Sequence, residues 1–203
     1  MGQKLHRILS FFYEIGTARR RPRAWEQAIG APMANVAEHT MRTQVLAAYL
    51  AVQEGGDPKQ AIWIALWHDA GEIRGADATP HQKPYVEVHE AKALAATIKG
   101  VDGLGPLIET AYTTYKARQS IEAQCVKDAD ILDTVIELME AKANGHGYPQ
   151  HPLVAEQIRI KRERYFTATA RTLHDALMAE DAPSPWDWFL LSESSFQDGT
   201  YGR

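Results

Sequence analysis

Two polar residues close an otherwise apolar run: His68 and Asp69 follow Ala61-Ile62-Trp63-Ile64-Ala65-Leu66-Trp67. A neutral imidazole and a carboxylate are borderline-to-hard donors. They suit Mn, Fe, Co, Ni, Zn or Mg rather than a thiophilic ion. Further donors of the same kind stand upstream at His39, in Glu38-His39-Thr40, and downstream at Asp130, in Lys127-Asp128-Ala129-Asp130. Two His and two Asp leave positions open on a six-coordinate ion, which a catalytic metal needs to hold water and a substrate oxygen. Over such long separations spacing is no argument by itself; the fold must bring the groups together.

Context separates the two His-Asp pairs of the chain, His68-Asp69 and His174-Asp175. The first ends a buried apolar helix, where polar groups need partners in a dry place. Gly71, Glu72 and a Pro-containing loop follow it. The second lies in a long charged helix and reads as a solvated pair. Taken alone, His39 near a helix start reads as exposed or capping. Asp130 shares a helix face with Val126, Asp133 and Glu137, a row that by itself reads as solvated.

The elements that position these residues are helical. Leu5, Ile8, Leu9, Phe12 and Ile15 repeat at spacings of three and four, so residues near 3–17 form an amphipathic helix. The Arg-, Pro- and Gly-rich segment Thr17–Pro32 reads as irregular. Asn35 caps a helix that ends by Gly55-Gly56, and Asp57-Pro58 opens the apolar helix bearing His68 at its C-terminal end. A loop over 74–85 precedes helices near 86–98, 106–117 and 120–143, and a last long helix covers 152–180 before Pro183-Ser184-Pro185. No strand pattern stands out. The expectation is an all-α, single-domain bundle of six to seven helices over 1–182, with a tail over 183–203 whose Trp186, Trp188 and Phe189 dock on the body.

Composition bounds the function classes. The 203 residues suffice for one sizeable core, and a net charge of -4 supplies no bulk field for nucleic acid or membrane. The basic run Arg19-Arg20-Arg21-Pro22-Arg23 is short and lacks interleaved aromatics, so stable nucleic-acid binding is not expected. The single cysteine, Cys125, reads as a packing residue and suits a reducing compartment. No apolar run approaches a membrane span and the N-terminus lacks a secretory pattern, so the expected location is cytoplasmic.

Four motifs come in order: Asn35-Val36-Ala37-Glu38-His39-Thr40, His68-Asp69-Ala70-Gly71-Glu72, Asp77-Ala78-Thr79-Pro80 and Lys127-Asp128-Ala129-Asp130-Ile131-Leu132. This series resembles the HD-domain phosphohydrolases, and within them the bacterial 5′-deoxynucleotidases and related phage nucleotide hydrolases, over roughly residues 1–145. The resemblance implies an all-α fold, a divalent metal (Co, Mn, Mg, Zn or similar) held by His39, His68, Asp69 and Asp130, and Glu72 and Asp77 working beside it. It also implies an Arg before a Pro that meets the substrate phosphate, a place fitted by Arg21-Pro22 or Arg20, and it favours a homodimer. The family commonly has Arg-Trp-Pro where this chain has Arg20-Arg21-Pro22, and Trp25 is positioned to supply the missing aromatic.

The mechanism expected from these residues is metal-assisted hydrolysis of a deoxynucleotide phosphate ester. If the helix of His68 continues past Asp69, Glu72 lies on the same face within a turn of the metal. Asp77 stands on the following loop as acid/base or sugar-hydroxyl acceptor. Arg20, Arg21 and Lys83 neutralise phosphate charge, with Thr79 and Pro80 beside the substrate. The leading substrate is a deoxynucleoside 5′-monophosphate. The alternatives are a dATP-type triphosphate hydrolase and a non-catalytic nucleotide- or metal-binding module, with cyclic-nucleotide cleavage further behind.

Overall fold

The computed structural model describes residues 2–30, 33–79 and 81–190. In chain order the helices are α1 Gly2–Ile15, α2 Glu26–Ile29, α3 Val36–Gln53, α4 Pro58–Trp67, α5 Glu72–Gly75, α6 Glu90–Ile98, α7 Leu104–Ala117, α8 Ile121–Ala143, α9 Pro152–Ile160, α10 Ala168–Met178 and α11 Asp187–Leu190. Short 3-10 turns over Gly16–Arg20, Tyr148–Gln150 and Lys161–Arg164 join them. The described residues contain no strand; an isolated antiparallel bridge pairs Pro22 with Asn35. No described helix is long and apolar enough to cross a membrane.

The helix starts follow local chemistry. Asn35 accepts from Ala37 N and Glu38 N, while Glu38 Oε2 accepts from Asn35 N, so two orphan ends satisfy each other in a capping box. Asp57 Oδ1 accepts from Lys59 N ahead of Pro58, and Ser120 Oγ accepts from Ala123 N at the head of α8. These caps fix where α3, α4 and α8 begin, and therefore which side chains each turns inward.

α3 packs on both α4 and α8, and this trio is the centre of the molecule. Small residues line its seams: Ala47 and Ala51 from α3, Ala61 and Ala65 from α4, Cys125 and Ala129 from α8, all buried with Leu50, Ile64 and Leu132. Small side chains let the backbones approach closely, so polar groups at the ends of these helices can meet. A second apolar cluster joins α1, α4, α6 and α7 through Phe11, Trp67, Leu94 and Ile108. A third sets Ile29 and Ile158 against Leu138 of α8. Cys125 is buried in the central seam, and burial pushes its thiol up to about 12, which keeps it unreactive.

The structure departs from the sequence reading in three places. The helix expected over 152–180 is broken, giving eight helices of nine residues or more among the described residues. The cause is Asp128: buried on α8, it accepts from Phe166 N, Thr167 N and Thr167 Oγ1, pulling residues 165–167 out of helical geometry. Thr167 then caps α10. His174 is not solvated but 2 % exposed, its Nδ1 bonded to Tyr165 OH at 3.0 Å, while Asp175 points outward to Arg162. In the tail, Trp186 and Trp188 are exposed rather than sealing the core; the Phe189 side chain and residues 191–203 lie outside the described residues.

Candidate metal centre

α4 ends at Trp67, and His68-Asp69 occupies the turn that follows. The helix does not continue to Glu72; α5 opens there as a separate turn. Gly71 permits this path, since a Cβ on it would stand 2.7 Å from the backbone oxygen of Glu90 at the start of α6. His39 comes from the second turn of α3 and Asp130 from the middle of α8. One donor atom from each of His39, His68, Asp69 and Asp130 lies within 4.8 Å of every other. His39 Nε2 is 3.2 Å from His68 Nε2, 3.3 Å from Asp69 Oδ2 and 3.5 Å from Asp130 Oδ1, and His68 Nε2 is 3.1 Å from Asp69 Oδ2.

The second ring nitrogens decide what this cluster is built for. His68 Nδ1 donates to Ala65 O at 2.6 Å, and His39 Nδ1 donates to Asp133 Oδ2 at 2.5 Å. With both rings neutral, each would carry its lone pair on Nε2, and the two Nε2 atoms stand 3.2 Å apart beside two carboxylates. That donor set fits a divalent cation, whose charge removes both repulsions. Asp130 is oriented in the same way: Oδ2 accepts from Tyr115 OH at 3.0 Å and Lys127 Nζ at 2.7 Å, leaving Oδ1 toward the cluster.

Protonation at the cluster reflects its crowded charge. Burial disfavours the charged form of His39, but hydrogen bonds that its ring donates to Asp130, Asp133 and Asp69 outweigh it and hold its pKa well above the usual range. Burial works against the Asp69 and Asp130 carboxylates as well. His68 beside Asp69 and Lys127 beside Asp130, with His39 bonded to both, hold them low. Glu72 goes the other way: burial first, then the charges of Asp69 and Asp77, push it up to about 9. Its Oε2 is buried without a hydrogen-bond partner among the described residues.

A cavity of about 610 Å³ opens over the cluster, with Asp69, Glu72, Asp77 and Asp130 on its wall. Asp77 Oδ2 accepts from Ala24 N at 3.0 Å, tying the loop to the segment after the Arg run. Thr79 and Lys83 also line the cavity; Pro80 lies outside the described residues. The Arg run is placed differently from the sequence reading. Arg20 is exposed and off the cavity wall, and Arg21 donates to Ile73 O at the lip of a neighbouring depression. The arginine inside is Arg23, 6 % exposed, with Nη1 4.0 Å from Asp69 Oδ2 and Nε unpartnered. Lys116, Arg118, Lys127, Lys161 and Arg164 join it on the wall. Among the described residues Lys83, Arg118, Lys161 and Arg164 make no salt bridge.

Sequence reasoning missed Asp133, Arg42, Tyr115 and Arg23. Asp133 and Glu137, read as a solvated row with Asp130, are buried. Asp133 Oδ1 is taken by Arg42 Nε, whose Nη1 also donates to Glu140 Oε1. Asp133 and Glu137 stand three and seven residues past Asp130, and that spacing was the available signal, because it puts all three on one face; the buried packing of α8 between α3 and α10 was not visible from it.

Comparison with known proteins agrees with this architecture. The sequence profile of the family described as HD domain matches residues 15–173. A conserved hypothetical protein from Pyrococcus furiosus superposes with a TM-score of 0.66 at 23% identity, covering 84% of this chain and 98% of its own. A predicted metal-dependent phosphohydrolase from Magnetospirillum magnetotacticum superposes with a TM-score of 0.63 at 21% identity, covering 90% and 99%. No curated protein matches the chain.

Proposed function

The chain belongs to the HD domain family, and from that premise we propose that it is a metal-dependent phosphohydrolase, converting a deoxynucleoside 5′-monophosphate and water to the deoxynucleoside and inorganic phosphate. The observation that carries the metal-dependent part is the pair of Nε2 atoms 3.2 Å apart, each ring with its Nδ1 already committed as a donor. The Magnetospirillum fold neighbour, a predicted metal-dependent phosphohydrolase, supports the reaction class. The nucleotide part is supported by the ordered motifs of the sequence and by the cationic cavity wall.

When bound, a divalent ion lowers the pKa of water and polarises a phosphoryl oxygen. The chain does the rest. His39, His68, Asp69 and Asp130 would hold the ion, with Asp133, the Ala65 carbonyl, Tyr115 and Lys127 fixing their orientation. Arg23 offers its unpartnered Nε and planar fork to the phosphate oxygens. Water attacks phosphorus and forms a new P–O bond; Asp77, held by Ala24 N–H, takes its proton. The ester P–O bond breaks with its electron pair moving to the nucleoside 5′-oxygen. Glu72, on the same cavity wall, supplies the proton that makes that oxygen a hydroxyl.

A second reading, hydrolysis of a deoxynucleoside triphosphate, is favoured by one observation: four cavity cations, Lys83, Arg118, Lys161 and Arg164, stand without a salt bridge, more than one phosphate needs. Incubating the protein with deoxynucleoside mono-, di- and triphosphates under Mn, Co and Mg, and separating the products, decides between them. Inorganic phosphate from monophosphates supports the first reading, and tripolyphosphate from triphosphates the second. Absence of turnover with every metal, while nucleotide still binds, overturns both and leaves a binding module.

A further inference from the structure

A second cavity of about 610 Å³ shares Trp25, Thr79, Lys161 and Arg164 with the one over the metal cluster. None of the cluster's acids reaches its wall. Leu138 of α8, Tyr148 of the 148–150 turn, and Val154 and Ile158 of α9 make it largely apolar. One compartment therefore gathers charge and its neighbour gathers apolar surface, with a cation and an indole at the junction. Lys161 Nζ sits 5.9 Å from the centre of the Trp25 ring, a cation–π distance that ties α9's end to the segment carrying Arg23. The mechanism above uses none of Leu138, Tyr148, Val154 or Ile158.

Resting on the phosphohydrolase reading, we propose that this annex is the leaving-group pocket and takes the planar heteroaromatic part of the substrate. A phosphate seated at the cluster leaves the ester's organic half to occupy the adjoining space. The adjoining space is apolar, within the usual ~300–1,000 Å³ of small-molecule sites, and walled by aromatic side chains on which a base stacks. The exposed edges of Gln27, His81 and Gln157 at its wall offer hydrogen bonds to ring nitrogens and exocyclic groups. Selection of nucleoside phosphates over bare sugar phosphates follows from this pocket rather than from the metal cluster.

The test compares kcat/KM for deoxyadenosine 5′-monophosphate with that for 2-deoxyribose 5-phosphate, which carries the same phosphate and no base. The expected preference is at least about tenfold, the low end of what burying one aromatic ring returns. Ala28 lines the annex from an exposed position on α2, so Ala28→Trp fills the space without touching the core. It should cut that preference at least about tenfold, and Val154→Trp, on α9 at the same wall, should do the same. Deoxyadenosine binding, read by saturation-transfer NMR without turnover, should be lost in both. Hydrolysis with a ratio near one, or a ratio unmoved by both variants, overturns the annex and leaves the phosphohydrolase reading standing. Deoxyadenosine binding that both variants abolish, in a protein that hydrolyses neither ester, upholds the annex and removes that reading.

Discussion

Asp133→Asn tests whether the buried carboxylate behind His39 is part of the metal centre or only of the core. In the folded chain Asp133 is fully buried and accepts from His39 Nδ1 and Arg42 Nε with its two oxygens. An amide of the same shape has one acceptor oxygen, so one donor loses its partner and the His39 ring is no longer held with Nε2 toward the cluster. Removing such an outer carboxylate costs about 10–100-fold in metal affinity. At a metal concentration of about 100 times the wild-type Kd, binding stabilises the fold by about 2.7 kcal/mol, and this drops to about 0.4–1.4 kcal/mol in the variant. With about 2–4 °C of Tm per kcal/mol for a domain of this size, the metal-induced rise in Tm should shrink by about 3–9 °C. Calorimetry on EDTA-stripped and Mn-loaded protein reads that rise separately from the loss of Arg42 pairing, which lowers both states alike. An unchanged metal-induced rise refutes the assignment of Asp133 as the residue that orients His39.

Three further outcomes are expected. In metal-free protein, Glu72 has its pKa raised from 4.5 to about 9, so its contribution to stability is full below pH 4.5 and is lost as pH rises toward 9. Urea unfolding in EDTA should therefore show wild type weakening between pH 6 and 8 more than Glu72→Gln, and parallel slopes count against the assignment; with metal, Glu72→Gln should keep its ion and lose about 10²–10⁴ of kcat. Gly71→Ala puts a methyl 2.7 Å from Glu90 O, so it should cost about 1–3 kcal/mol in chemical denaturation by separating α5 from α6. Asp128→Ala leaves the buried Thr167 N–H and its neighbours without an acceptor and should cost about 2–4 kcal/mol, with faster amide exchange at 165–168 and no change in metal content.

Caps and apolar spacing are local, and what they govern was legible: Asn35 and Asp57-Pro58 start helices where their side chains satisfy orphan amides. The four candidate ligands were legible through their order in the chain, and the cluster geometry brings those residues together. What failed to show was long-range partnership. The break at 165–167 depends on Asp128, 38 residues away. Read along the chain, 152–180 has nothing to stop it, because the acceptor that competes for its amides belongs to another helix. Arg23 rather than Arg20 or Arg21 enters the cavity because the Pro22–Asn35 bridge and the Asp77 contact to Ala24 set which way the segment turns. Charge type alone could not rank the four arginines of the run. His174 was misplaced for a similar reason: its Tyr165 partner sits across the same unpredicted break.

The central claim is that His39, His68, Asp69 and Asp130 form one site for a divalent ion. Equilibrium dialysis of the EDTA-stripped chain against Mn²⁺, with bound metal counted by mass spectrometry, tests it most directly. The account predicts one ion per chain, lost in Asp69→Ala while the variant keeps its helical circular dichroism. An unsubstituted chain that binds no Mn²⁺, Co²⁺ or Zn²⁺, or an Asp69→Ala variant that binds as much as its parent, contradicts it.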